Sequence, residues 1–121
     1  MLEKQTIGKF GENVTCKYLR KNDYKILDRN FSCKQGEIDI IAFDVKNKEV
    51  VFFEVKTRTS FDYGFPSEAV NKTKQMHILN SAKYYLYCKK LENCFVRIDV
   101  IEVVIDMEHV RYKLNHLKGV I

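Results

Sequence analysis

The sequence predicts an α/β protein with a mixed β-sheet flanked by helices, in the order α-β-β-β-α-β-β. Two segments repeat apolar residues at helical spacing, and five segments have the character of strands, of which two adjacent ones are rich in Ile, Val and Phe. The chain has 121 residues, of which 45% are hydrophobic. A chain of this size builds one hydrophobic core, so residues 1–121 are predicted to form a single domain.

The first helix is predicted over residues 5–21. Ile7, Phe10 and Val14 recur there at three- and four-residue spacing, and they therefore share one face of the helix. The stretch that follows alternates loosely between apolar and polar residues, which predicts the first strand over residues 24–33.

The next two strands form a predicted hairpin. Residues 37–44 and 49–57 are rich in Ile, Val and Phe, and the short polar segment 45–48 connects them. A turn centred on this segment places Phe43 opposite Val50. Apolar residues occupy both faces of the hairpin near the turn, so both faces are predicted to be covered by other elements.

Charged residues collect on one face of this hairpin, at the end far from the turn. The same register places Asp39 opposite Glu54 and Glu37 opposite Lys56. Opposed side chains have Cβ atoms roughly 4.5–5.5 Å apart, so the two carboxylates repel unless one is protonated or a cation lies between them. Mg²⁺ or Mn²⁺ is the predicted cation, because hard cations prefer carboxylates. The alternative is a Glu37–Lys56 ion pair beside a solvated Asp39 and Glu54.

The second half of the chain supplies a helix and two strands. Residues 59–66 contain Gly and Pro and predict a loop. Ser67 is the predicted N-cap of the second helix, which runs to residue 89 or 90. The apolar residues 94–105 predict a strand, and residues 109–114 predict a last strand at the edge of the sheet.

The charge balance of the chain favours a polyanionic partner. The formal net charge is +5, which is the sign expected for contact with nucleic acid. No apolar run approaches the roughly 20 residues of a membrane span. The first residues are polar and lack the apolar core of a secretory signal. These observations predict a cytoplasmic protein without a membrane partner.

Six segments carry a family resemblance, and in chain order they are Gly8-x-x-Gly11-Glu12, Arg29-Asn30-Phe31, Gly36-Glu37-Ile38-Asp39, Glu54-Val55-Lys56-Thr57-Arg58, Glu68-Ala69-Val70 with Lys72, and Arg97-Ile98-Asp99-Val100. Their order resembles the YraN family of small bacterial proteins. An acidic residue on one strand and Glu-x-Lys on the next also resemble the PD-(D/E)xK nuclease superfamily, including the archaeal Holliday-junction resolvases. Ile38 stands where the name of that superfamily has proline.

The resemblance implies a metal-dependent endonuclease that acts on DNA, including branched or unusual structures. It implies that Asp39, Glu54 and the main-chain carbonyl of Val55 bind the metal. It also implies that Lys56 assists the attacking water. Glu12 is similar in position to a helix glutamate of the resolvase branch, and it is expected to complete or support the metal shell. Asp39, Glu54, Lys56 and Glu12 are thus the candidate catalytic residues.

Basic and aromatic side chains near the hairpin predict contacts with nucleic acid, and these are Arg58, Lys72, Lys74 and Tyr63. Lys72 and Lys74 are two residues apart on a predicted helix, so at most one of them faces the site. A homodimer would suit an enzyme that cuts two strands symmetrically. Two alternatives stay open: a nucleic-acid-binding module without catalysis, and a structural protein whose carboxylates pair only with lysines.

Overall fold

The computed structural model describes residues 3–60 and 71–121. In chain order the elements are α1 (Lys4–Lys21), β1 (Tyr24–Cys33), β2 (Gly36–Asp44), β3 (Glu49–Thr59), α2 (Lys72–Cys88), β4 (Phe95–Asp106) and β5 (Arg111–Leu117). This confirms the predicted α/β class and the predicted order α-β-β-β-α-β-β. Within these ranges, neither helix is long and apolar enough to cross a membrane.

The described strands form one mixed sheet in the order β1-β2-β3-β4-β5. Neighbouring strands run antiparallel, except that β3 and β4 are parallel. A parallel pair needs a long crossover, and α2 lies in the segment that connects these two strands. Strand β3 therefore lies in the middle of the sheet, with β2 on one side and β4 on the other.

The two helices cover opposite faces of the sheet. Cys16 and Leu19 of α1 pack with Phe53 in one hydrophobic cluster. Ile78 and Tyr85 of α2 pack with Phe52 and its neighbours in the other cluster. Successive residues of β3 point to opposite faces, so Phe52 and Phe53 fall into different clusters. Both faces of the hairpin are buried, as its apolar pattern predicts.

The register of the hairpin is confirmed next to the turn. Phe43 is paired with Val50, and Ile41 is paired with Phe52. The turn itself covers residues 45–48, and the main-chain N–H of Lys48 donates to the carbonyl of Asp44. The predicted alternation of β2 and β3 is therefore correct over the apolar half of the hairpin.

Helix α2 begins later than predicted. Asn71 is its N-cap, and the Asn71 side chain accepts a hydrogen bond of 2.9 Å from the main-chain N–H of Lys74. Ser67, the predicted cap, lies outside the described residues. The last strand also lies later than the predicted residues 109–114, since β5 spans Arg111–Leu117. Its pairing with β4 extends as far as Val100 and Leu117.

A buried polar network ties the turn end of the hairpin to β4. The guanidinium of Arg97 lies 2.9 Å from Asp44, 3.0 Å from Glu49 and 2.9 Å from Asp99. Asp99 is fully buried and also bonds the ring of His116 at 2.7 Å. A charge at such depth is stable only when it is paired. This network lies near the start of β3, whereas Glu54 and Lys56 lie further along the strand.

Candidate active site

The candidate site lies where β2 and β3 separate. The pairing between these strands ends at Ile40 and Phe53. Beyond that point β2 remains paired with β1, as in the pair Phe31 and Ile38. The sheet therefore forks just before Asp39. Asp39 and Glu54 were expected to be directly opposed in the β2–β3 pairing. They are not, because this pairing ends one residue earlier, at Ile40 and Phe53.

Asp39 occupies the gap of this fork. Its Oδ2 atom accepts a hydrogen bond of 2.7 Å from the main-chain N–H of Val55. That N–H has lost its strand partner at the fork and needs another acceptor. The N–H and C=O of one strand residue point toward the same neighbouring strand, so the carbonyl of Val55 is also directed to the Asp39 side.

Asp39 and Glu54 line the same cleft, whose volume is about 420 Å³. Burial and the nearby charge of Glu54 together raise the pKa of Asp39 to about 7, and burial has the larger effect. The hydrogen bond from Val55 and the charge of Lys74 act in the opposite direction. Glu54 is only 6% exposed. Two carboxylates thus converge in a partly dry place, which is the arrangement that favours a cation.

Two lysines contact the same carboxylate oxygen. The Nζ atom of Lys74 lies 2.6 Å from Glu54 Oε1, and the Nζ atom of Lys56 lies 3.7 Å from it. Burial and the neighbouring Lys74 lower the pKa of Lys56. Burial lowers the pKa of Lys74, but the hydrogen bond to Glu54 and the charges of Glu54 and Asp39 together outweigh burial and raise this pKa. Lys74, which the sequence predicts as a nucleic-acid contact, thus lies in the carboxylate cluster and bonds Glu54.

The start of α2 explains why Lys74 reaches the cluster. Asn71 fixes the first turn of the helix, and Lys74 stands in that turn. Ile78 is one helical turn further on and is buried against the sheet. Lys74 therefore lies on the inner side of the helix, whereas Lys72 is exposed. As the two-residue spacing predicts, no more than one of these lysines faces the site.

Glu12 approaches from the α1 side of the sheet. Gly11 lets the helix lie directly on β3, because a Cβ atom at Gly11 would overlap the hydroxyl of Thr57. Thr57 follows Lys56 on β3. Because Glu12 follows Gly11 on α1, the contact between Gly11 and Thr57 brings Glu12 close to the fork. Burial raises the pKa of Glu12, and the charges of Glu37 and Glu54 contribute in the same direction.

Two residues of β1 hold Glu12 in this place. The guanidinium of Arg29 lies 3.9 Å from Glu12 and donates a hydrogen bond of 2.8 Å to Asn13. A hydrogen-bonding interaction with the Asn30 side chain lowers the pKa of Glu12 against the effect of burial. Asn30 has a φ of 52°, a left-handed conformation that Asn tolerates better than most residues. Arg29 and Asn30 belong to one of the segments that carry the family resemblance, but no role was predicted for either residue from the sequence.

The donors at the fork suit a hard divalent cation. Asp39 and Glu54 supply carboxylate oxygens, and the carbonyl of Val55 is directed to the same gap. Across residues 3–60 and 71–121, no three His, Cys, Asp or Glu side chains converge as a metal site. Glu12 is therefore not a third carboxylate in direct contact with the pair. The set fits Mg²⁺ or Mn²⁺, because such ions keep several water ligands beside one or two carboxylates.

The other predicted site residues lie in three different places. Arg58 follows Lys56 on the same face of β3, and its charge acts on the buried Glu102. Lys72 is exposed at the first turn of α2. Tyr63 lies outside the described residues. In the described part of the chain no ion pair joins Glu37 to Lys56; that alternative is wrong, and Glu37 instead lines the cleft.

Comparisons with known proteins agree with the predicted family. A model of the uncharacterised protein family UPF0102 matches residues 11–103. A UPF0102 protein of Clostridium perfringens is 48% identical over 114 residues, which cover 94% of this chain and 92% of the relative. A UPF0102 protein of Caldicellulosiruptor saccharolyticus is 42% identical over 118 residues, which cover 98% of each chain. These matches confirm the resemblance to a family of small bacterial proteins.

Proposed function

The chain belongs to the uncharacterised protein family UPF0102, and we propose that it is a metal-dependent endonuclease of the PD-(D/E)xK superfamily. Its proposed reaction is the hydrolysis of phosphodiester bonds in DNA, including branched DNA. One observation carries this proposal: Asp39 and Glu54 come from separating strands and converge on one open cleft beside Lys56. Carboxylates and a lysine at such a place supply a metal site and a phosphate contact together.

The proposed metal ligands are Asp39, Glu54 and the main-chain carbonyl of Val55, with Mg²⁺ or Mn²⁺ as the cation. When bound, such an ion activates water and offsets the negative charge of the scissile phosphate. Lys56 lies on the same face as Glu54 and is placed to orient the attacking water or to contact a phosphate oxygen. Glu12 supports the site through its charge, from the other face of the sheet.

The nucleic acid is proposed to lie along the α2 face of the sheet. Arg58 continues the row of Glu54 and Lys56 along β3, and Lys72 is exposed at the start of α2. Cationic side chains on both sides of the cleft would neutralise backbone phosphates. The net charge of +5 agrees with such a partner. Tyr63 is retained as a stacking residue from its sequence position alone.

One observation favours a second candidate function. The carboxylate of Glu54 already has a close cationic partner, because Lys74 lies 2.6 Å from it. A chain with this fold and a permanently paired Glu54 would bind nucleic acid without cutting it. Cleavage therefore separates the two candidates, since both predict binding and only one predicts strand breaks.

The test is a cleavage assay on single-stranded, duplex and four-way-junction DNA with Mg²⁺, with Mn²⁺ and with EDTA. Wild-type protein should cut at least one of these substrates, and EDTA should abolish the activity. Asp39→Asn should lower the rate by at least about 100-fold. Asp23→Asn is the matched control, because Asp23 lies at the turn end of the hairpin and bonds only the exposed Lys46 among its described ion pairs.

Two results would overturn the proposal in different ways. DNA binding without any strand breaks under all metal conditions would support the non-catalytic module. Cleavage that continues unchanged in Asp39→Asn would mean that the observed activity does not come from this site.

A further inference from the structure

We propose that Lys74 is a positioning residue for Glu54, and that it holds the place of the divalent cation until that cation binds and displaces it. This inference rests on the proposed function, since it concerns the same pair of carboxylates. It assigns to Lys74 a role that differs from a simple contact with DNA.

The contact geometry makes Lys74 the main cationic partner of Glu54. Its ammonium is 2.6 Å from Glu54 Oε1, whereas the ammonium of Lys56 is 3.7 Å from the same atom. Glu54 is 6% exposed, and an ionised carboxylate at that depth is stable only with a partner. The charge of Lys74 also acts on Asp39. One ammonium therefore faces both carboxylates that are proposed to bind the metal.

A divalent cation and this ammonium cannot both use the same oxygen. At contact distance the two positive charges would repel strongly beside a carboxylate that is only 6% exposed. Asp39 and Glu54 both supply oxygens to the proposed site, and Glu54 Oε1 is the oxygen that the ammonium of Lys74 occupies. A metal that binds through Glu54 Oε1 must therefore break the ion pair between Lys74 and Glu54.

Lys74 has a route away from the cluster. Its side chain is 37% exposed, and it lines the open cleft together with Thr73 and His77. A lysine has four methylene groups, so its ammonium can swing into solvent while the helix stays in place. From there it still faces the cleft, where the phosphate of a substrate is proposed to lie. The displaced ammonium thus becomes available to the substrate only when the metal is bound.

The test compares the affinity for Mn²⁺ of wild type, Lys74→Met and Lys72→Met by isothermal titration calorimetry at pH 8.5, without DNA. Lys72→Met removes the same charge two residues away, from an exposed position. We expect Lys74→Met to bind Mn²⁺ about tenfold more tightly than wild type, because no ion pair has to be broken. Lys72→Met should differ from wild type by less than about twofold.

A conservative variant and a stability measurement complete the design. Lys74→Arg keeps the competing charge, so its Mn²⁺ affinity should stay near that of wild type. Without metal, Lys74→Met should melt earlier than wild type, since Glu54 and Asp39 lose their neutralising charge. Saturating Mn²⁺ should remove most of that difference. Lys74→Gln provides a second neutral variant in case the methionine protein does not fold.

The possible outcomes separate this inference from the proposed function. Tighter binding by the neutral Lys74 variants supports the inference, including the case in which only those variants bind Mn²⁺. Equal or weaker binding by them, with clear binding by wild type, overturns the inference and leaves the metal site standing. Absence of Mn²⁺ binding in every protein overturns both.

Discussion

Replacement of Asp39 by asparagine should stabilise the metal-free protein at alkaline pH. Asparagine has nearly the shape of aspartate, and its carbonyl oxygen can still accept the hydrogen bond from the N–H of Val55. It cannot ionise, however, so it removes the repulsion between Asp39 and Glu54. The variant therefore changes the charge of the pair and leaves the hydrogen bonding of the fork in place.

The size of the effect follows from the pKa of Asp39, which is raised from 3.8 to about 7. Between these two values the folded protein binds the proton more tightly than the unfolded chain does. The free energy of unfolding of wild type therefore falls as the pH rises through this window, and the loss is complete above pH 7. From pH 5 to pH 7 the loss is about 1.36 kcal/mol per pH unit, or about 3 kcal/mol in total. Asp39→Asn lacks this loss.

The assay is urea unfolding followed by circular dichroism at pH 5.0 and pH 8.5 in EDTA. Wild type should lose about 3 kcal/mol more than Asp39→Asn between the two pH values. Titrating groups that Asp39 does not affect contribute equally to the two proteins and cancel in this comparison, whereas Lys56 and Lys74, whose pKa values the charge of Asp39 raises, belong to the measured difference. Asp23→Asn is the control and should follow wild type, because Asp23 is an exposed residue at the other end of the hairpin.

The addition of Mn²⁺ should offset most of the deficit of wild type relative to Asp39→Asn at pH 8.5. An ion that binds only the folded state adds about 2.7 kcal/mol to the unfolding free energy of wild type at a concentration of 100 Kd. Asp39→Asn should gain little, because it has lost one of the two carboxylates. The reasoning is refuted if metal-free Asp39→Asn is less stable than wild type at pH 8.5 and Mn²⁺ affects neither protein. Asp39 would then be a structural residue.

Two further substitutions test the supports of the site. Gly11→Ala should lower the unfolding free energy by about 1–3 kcal/mol, because its methyl group would overlap Thr57. Gly8→Ala, where a Cβ atom meets nothing within 4 Å, should not lower it in the same urea titration, and equal values for the two variants would contradict the close approach. Arg97→Met should cost about 3–5 kcal/mol at pH 7, since it leaves buried carboxylates unpaired. Arg97→Met should also reduce the loss of stability of the protein below pH 4. The reason is that hydrogen bonds from Asn47 and Arg97 lower the pKa of Asp44 to about 2 despite its burial. An unchanged midpoint of acid unfolding would argue against this.

Much of the fold could be predicted because its apolar pattern is regular. Alternation fixes which residues of β2 and β3 share a face, and a short polar turn fixes their pairing, as Phe43 and Val50 show. The same alternation predicts Asp39 and Glu54 at one end of the hairpin, and both line one cleft. The predicted parity does not hold through the fork, since Ile38 and Ile40 are two residues apart and lie in different hydrophobic clusters.

The contact of Lys74 with Glu54 was not predicted, although Lys74 and Ile78 are four residues apart and therefore share a face of α2. Serine and asparagine are about equally good N-caps, so the sequence alone does not choose between Ser67 and Asn71. The cap decides how close Lys74 lies to the start of α2, and the spacing to Ile78 decides the face on which it lies. Only the cap at Asn71 and the buried Ile78 show that Lys74, and not Lys72, lies toward the sheet.

The fork between β2 and β3 is the feature on which the whole candidate site depends. Where the strands separate, the N–H of Val55 needs an acceptor, and Asp39 supplies it. That bond draws a carboxylate into a partly buried place beside Glu54, which raises the pKa of Asp39. A continuous ladder would have satisfied Val55 from the main chain, and it would have left no gap between the strands for the carboxylate of Asp39. The residue that completes the local fold is therefore the same residue that brings a second carboxylate close to Glu54.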